Sequence, residues 1–311
     1  MICKRLKLYD DRPDVTLTAY LPGDSPMLLA GKPRPAVIIC PGGAYQFCAD
    51  PEAEPVALKF AAMGYHAFVL RYSVYSAATG TMGFAPEDAP ACEKTLYPAA
   101  VRDLAKAILT IRERAEEWSV DAERIAVCGF SAGAHNCAMY ATRWNQPEIY
   151  GHFGCAPELL RPAAAILGYG VFDMECIYNY RPNPKMVQMN RAFNLTLFGV
   201  RDPSPEQLAA LSPTRLVTAS TPPCFLWATS GDRMAPVENT TEMATALAKA
   251  GVPFELHIFE EGPHGMSTAT QLSAATVHDT DADIRKWMDL AEAWLLKRFA
   301  LPLEAERRGL I

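Results

Sequence analysis

Short apolar runs with no polar alternate recur along the chain, most of them closed by a glycine or proline. Ala36-Val37-Ile38-Ile39-Cys40 stops at Pro41-Gly42-Gly43, and Ala67-Phe68-Val69-Leu70 follows Gly64. Ile125-Ala126-Val127-Cys128 ends at Gly129, and Ala163-Ala164-Ala165-Ile166-Leu167 ends at Gly168. Cys224-Phe225-Leu226-Trp227-Ala228 runs into Ser230-Gly231-Asp232, and Phe254-Glu255-Leu256-His257-Ile258-Phe259 is the last run. Strands without a polar face are covered on both sides, which predicts a mostly parallel sheet.

Helical patterns fill the intervals, over 54–63, 98–118, 132–143, 238–250 and 283–299. In the second, Val101, Leu104, Ala105, Ile108, Leu109 and Ile111 form an apolar stripe, with Asp103 and Lys106 expected on the opposite side. Gly251 closes the fourth as a left-handed cap. Strands alternating with helices predict a doubly wound α/β domain. The alternation of Val15, Leu17 and Ala19 adds an antiparallel edge hairpin over residues 1–21, a surface that could support a homodimer.

Two stretches break the rhythm. Residues 171–222 carry Pro182, Pro184, Pro203, Pro205, Pro213 and Pro222, together with Tyr178, Tyr180, Met186, Met189 and Phe193. They read as a small lid-like insertion over the sheet within a single domain spanning 1–311, its tyrosines and methionines serving as an aromatic wall or as core. Residues 74–96, rich in Ala, Gly and Thr, read as a second, loop-like insertion. No internal repeat or low-complexity tract is present.

Composition narrows the partners. The 311 residues carry 29 Lys+Arg against 35 Asp+Glu, a net charge of 29 − 35 = −6. That balance excludes a generic basic face for nucleic acid. No apolar run approaches the roughly 20 residues that cross a bilayer, and Met1 to Lys7 lacks the apolar core of a signal peptide. The nine cysteines are scattered, odd in number and without a C-x-x-C pair, which reads as buried, reduced thiols of a cytoplasmic protein. G-x-G-x-x-G and G-x-x-x-x-G-K-[ST] are both absent, so no cofactor and no metal is expected.

Chemistry concentrates in Gly129-Phe130-Ser131-Ala132-Gly133, between a buried run and a helical pattern. Its glycines permit a tight strand-to-helix turn that lifts the Ser131 hydroxyl clear of the sheet, beside the unpaired N–H groups of the helix start. A serine hydroxyl needs a base. Of the six histidines, His66 and His257 fall in strand runs and read as packing residues. His135, one turn after Ser131, is expected to point sideways, and His152 and His278 fall in presumed loops without supporting pattern. His264, in Glu261-Gly262-Pro263-His264-Gly265 just beyond the last strand, lies where open α/β sheets place their ligands. Asp232 occupies the equivalent place after the preceding strand and supplies the acid, although a helix-capping role at Glu238 is an alternative; Asp173 and Glu175 compete less well. An oxyanion hole would draw on the N–H of Ala132 and of the loop Pro41-Gly42-Gly43-Ala44-Tyr45.

Together with Asp121-Ala122-Glu123-Arg124-Ile125-Ala126-Val127, these motifs resemble the α/β-hydrolase superfamily, and within it a bacterial esterase/lipase group that includes acetyl (xylan) esterases and feruloyl-esterase-like proteins. The likeness runs from Val37 to Phe299. It implies an α/β-hydrolase fold, a mostly parallel central sheet flanked by helices. It also implies catalytic Ser131, Asp232 and His264, with oxyanion donors Gly43, Ala44 and Ala132. The group's loop usually begins His-Gly-Gly-Gly; here Pro41 replaces the histidine and Ala44 the third glycine, and an alanine would be strained there at φ > 0. The implied activity is hydrolysis of small-molecule esters with short acyl groups, an acetylated sugar or xylo-oligosaccharide being the preferred substrate. A prolyl-oligopeptidase-like peptidase shares the triad, but no glutamate pair for a free amine is evident. A non-catalytic binding protein on the same fold would usually have lost one member of the triad.

Overall fold

In the computed structural model, which describes residues 1–304, eight strands form one sheet in the order β1-β2-β4-β3-β5-β6-β7-β8. They are β1 (Ile2–Lys7), β2 (Thr16–Leu21), β3 (Arg34–Cys40), β4 (His66–Arg71), β5 (Val120–Phe130), β6 (Ala164–Gly168), β7 (Cys224–Thr229) and β8 (Phe254–Phe259). β1 and β2 form the expected antiparallel edge hairpin, Leu6 facing Leu17 in register, and β2 runs antiparallel to β4. Every pairing from β4 through β8 is parallel.

The continuous apolar runs sit where both faces are covered. Ile38, Val127, Leu167 and Leu226 face one core, and Val37, Ala126, Ile166 and Trp227 face the other. Helices cover both sides: α1 (Glu54–Ala62), α2 (Tyr75–Thr79), α3 (Ala99–Glu113), α4 (Ala115–Trp118), α5 (Ala132–Arg143), α6 (Pro147–Phe153), α7 (Met174–Asn179), α8 (Pro184–Phe198), α9 (Pro205–Ala210), α10 (Glu238–Lys249) and α11 (Trp287–Phe299). Side chains of α3, α5 and α10 enter the first core, and those of α1 and α11 the second.

Several local expectations are corrected. β5 begins at Val120, five residues before the apolar run, because the polar stretch loops out between the pairs Arg34–Val120 and Ala36–Ile125. There Asp121 accepts from the Glu123 N–H and pairs with Arg124, satisfying backbone and charge locally. The helical pattern over 98–118 breaks at Arg114. Asp103 is buried, accepting from both the N–H (2.7 Å) and the hydroxyl of Ser73, and burial pushes its carboxyl up to about 6. His152 lies on α6 and His278 in the 3-10 turn Val277–Asp279; of the cysteines, Cys40, Cys128, Cys137 and Cys224 are buried, Cys48, Cys92, Cys155 and Cys176 only half-buried, and Cys3 is exposed.

Three prolines of the 171–222 insertion, Pro184, Pro205 and Pro213, open helical elements. Pro184 and Pro205 stand in the first turns of α8 and α9, after Asn183 and Ser204, which cap the helix N–H groups with their side chains. The stretch is therefore mostly helical, and it roofs the carboxyl ends of the central strands.

Candidate active site

Ser131 stands between β5 and α5, at the N-cap position of the helix, with φ 51° and ψ −122°, a conformation that costs a non-glycine residue about 1–3 kcal/mol. The flanking glycines are sterically required. A Cβ on Gly129 would run into the backbone of Gly133, and one on Gly133 would collide with the carbonyl oxygens of Cys40 and Pro41. The turn is fastened to the neighbouring strand, the Ser131 N–H donating to the Gly168 carbonyl at 3.0 Å.

The loops after β7 and β8 bring in the other two groups. His264 Nε2 lies 2.8 Å from Ser131 Oγ, and its Nδ1 lies 2.7 Å from Asp232 Oδ2. Asp232 is 5% exposed. Its Oδ1 accepts from the N–H groups of Met234 (2.7 Å) and Ala235 (3.0 Å), inside the loop before α10; the N-cap position of α10 is Val237, which makes no side-chain cap. Burial alone would depress the imidazole of His264, but the hydrogen bond and charge of Asp232, with a further contribution from Glu52, raise it above the usual histidine value. Tyr169, just past β6, meets the His264 ring edge-on with centroids 5.0 Å apart.

The loop after β3 passes in front of the serine. Ala44 (φ 53°) and Tyr45 (φ 56°) both occupy the left-handed region, so the third position of the loop does demand the conformation that glycine adopts freely. The loop is held down from below. Gln46 and Phe47 donate to the Gly43 carbonyl, and the ring of Tyr45 packs edge-on against Tyr72, His135 and Phe193. The Tyr45 hydroxyl meets His135 Nδ1 at 2.8 Å, while His135 Nε2 meets the Leu211 carbonyl at 2.9 Å. A carbonyl can only accept, so Nε2 carries the proton and Nδ1 accepts from Tyr45. His135 is thus buried beneath the loop, far from the lateral placement its sequence position suggests. Among the described residues, none accepts a hydrogen bond from the N–H of Gly43, Ala44 or Ala132.

Above these groups lies a cavity of about 220 Å³, lined by Ser131, His264, Gly43, Ala44 and Glu52 at its floor. Val171, Ile177, Met186, Met189 and Phe193 of the insertion supply much of its wall, with Phe47, Phe84 and Met234. Tyr178 and Tyr180 are not among the lining residues; Tyr178 packs on the core and under Arg181, so no tyrosine wall forms. Asp173 caps α7, and Glu175 pairs with Arg215. Glu52, Tyr169 and Gln46 were not singled out from the sequence; each is a polar side chain buried beside the site. Among the described residues, no group of His, Cys, Asp or Glu could hold a metal ion, and no helix is long and apolar enough to cross a membrane.

Parallel sheet, strand-to-helix serine turn and rim-borne histidine together define an α/β-hydrolase. Residues 27–247 match the family model BD-FAE, and the chain belongs to that family. It is 31% identical over 241 residues to endo-1,4-beta-xylanase B of Butyrivibrio fibrisolvens, covering 76% of this chain and 33% of that protein. Among solved structures it resembles the carboxylesterase Cest-2923 of Lactobacillus plantarum (TM-score 0.77, 27% identity, 98% of this chain and 100% of that one). It also resembles an acetyl ester-xyloside bifunctional hydrolase of Caldicellulosiruptor lactoaceticus (TM-score 0.73, 29% identity, 96% and 97%). The chain spans about a third to a half of the length of the curated relatives it matches.

Proposed function

We propose that the chain is a serine carboxylic-ester hydrolase that acts through an acyl-enzyme on small-molecule esters with short acyl groups. The observation that carries this reading is the continuous line of hydrogen-bonding groups from Ser131 Oγ through His264 to Asp232, with steps of 2.8 and 2.7 Å. Ser131 Oγ attacks the acyl carbon as His264 Nε2 takes its proton. Asp232, itself fixed by two backbone N–H groups, keeps the proton on Nδ1 and stabilises the imidazolium that forms. The oxyanion rests on the N–H groups of Gly43 or Ala44 and of Ala132, at the positive end of α5. His264 then protonates the departing alcohol and activates water for deacylation.

An acetylated sugar or xylo-oligosaccharide is the substrate we favour. The names of two similar proteins, an acetylxylan esterase of Xylanibacter ruminicola and the acetyl ester-xyloside hydrolase, support it. In a hydrolysis assay with p-nitrophenyl acetate, Ser131→Ala should lose about 10⁴-fold or more in kcat while keeping the wild-type fold. Activity retained in that variant would refute the nucleophile.

A further inference from the structure

Glu52 stands beside this machinery and outside it. It closes a short 3-10 turn, Asp50–Glu52, shortly after the oxyanion loop, and is 4% exposed. Its Oε2 accepts from the Gly42 N–H at 2.6 Å, and its Oε1 accepts from the Tyr169 hydroxyl at 2.7 Å. The Tyr169 oxygen already accepts from the Ser267 N–H at 3.0 Å, so its own proton is directed at Glu52. Burial raises the Glu52 carboxyl above the usual glutamate value; the hydrogen bonds that both oxygens accept from Tyr169 and Gly42, and the nearby His264, work against that rise and favour the anion.

One side chain thus joins three loops. Gly42 immediately precedes the amides of Gly43 and Ala44, so anchoring the Pro41–Gly42 peptide tethers the start of the segment that presents those two N–H groups. Tyr169 packs on the His264 ring, and Ser267 lies three residues beyond it. The carboxylate also comes close to the nucleophile: a Cβ on Gly42 would lie 2.7 Å from Glu52 Oε2 and 2.8 Å from Ser131 Cβ. The titratable groups around Glu52 are Tyr169, Tyr72, Cys128 and His264. Burial pushes the two phenols and the thiol far up, so His264 is the neighbour that changes charge near neutral pH.

Resting on the serine-hydrolase reading above, we propose that Glu52 is a positioning residue: it locks the oxyanion loop to the loop bearing His264, and its negative charge supports the imidazolium of the transition state. A filler of the same shape without charge would satisfy packing but not the second role.

The test is kcat, KM and the pH profile of kcat/KM on p-nitrophenyl acetate for the full chain and for Glu52→Gln, Glu52→Asp and Tyr169→Phe. Glu52→Gln should lose about tenfold or more in kcat with KM changed by less than about threefold, and its acid limb should move to lower pH. Glu52→Asp, which keeps the charge on a shorter arm, should be slowed yet keep the wild-type acid limb. Wild-type kcat and acid limb in folded Glu52→Gln, or a loss wholly in KM, would overturn the proposal. If Glu52→Gln does not fold, Tyr169→Phe decides: reduced kcat at unchanged KM supports the tie, and wild-type kcat overturns it. An inactive wild type would overturn the hydrolase reading together with this inference. An active wild type silenced by Ser131→Ala isolates the fate of Glu52.

Discussion

The serine turn and the roof of the cavity face each other across the same small space and are built on opposite terms. At the turn the backbone leaves no choice: a methyl group on Gly129 or Gly133 meets main-chain atoms, and Ser131 itself is held at φ 51°. At the roof, Met186 and Met189 reach the cavity from α8 as unbranched, adaptable side chains, beside Phe193, whose ring also packs on Tyr45 and His135. Buried hydrogen bonds fasten the roof, among them those from His135 to the Leu211 carbonyl, from the Phe172 N–H to Asn239 and from Gln46 to α8. Gln46 Nε2 donates to the Ala192 carbonyl (2.9 Å) and Thr196 Oγ1 (2.7 Å), while its Oε1 accepts from the Ala85 N–H (2.9 Å). Outside, Arg191 and Arg201 both reach Glu87, and the exposed Arg191–Glu87 ion pair contributes little. On the proposed reading, the nucleophile is presented by backbone that cannot vary, and the acyl group meets side chains that can.

The contrast can be broken from either side. Gly133→Ala should have the larger effect: main-chain oxygens of Cys40 and Pro41 cannot step aside cheaply, so a loss of about 3 kcal/mol or more in stability is expected, read as a lower urea midpoint. An unchanged midpoint would show that the turn is not packed against β3 as described. Met189→Ala should be milder and different in kind. Losing an apolar contact worth about 1 kcal/mol should lower the ratio of p-nitrophenyl hexanoate to acetate turnover about fivefold, with acetate kcat/KM within about twofold of wild type. Equal losses on both esters would mean that the roof shapes the chemistry and not the choice of substrate.

The same contrast explains what could be read from the chain. The strands, their parallel pairing and the positions of Ser131, Asp232 and His264 were legible because each rests on a local demand: uninterrupted apolar runs, glycines around a serine, polar residues just past strand ends. The left-handed conformation at Ala44 was legible only as a condition, through the resemblance to loops that carry a glycine there. Glu52 was not. In Asp50-Pro51-Glu52-Ala53-Glu54 it reads as one of several surface acids, and its burial comes from Tyr169, 117 positions away. Asp103 misled for the same reason, its partner Ser73 lying 30 positions back. The roof was legible as an interruption but not as a shape, because prolines that signal irregularity also serve as first-turn residues of helices.

The central claim is that Ser131 is made nucleophilic by His264, and covalent trapping tests it most directly. Folded protein treated with a fluorophosphonate should carry a single adduct, mapped by mass spectrometry to Ser131. Labelling should slow as pH falls through a midpoint above the usual histidine value near 6.5, because Asp232 and Glu52 favour the protonated ring, which cannot accept the serine proton. An adduct on another residue, no adduct on folded protein, or a labelling rate indifferent to pH across that range would contradict the account.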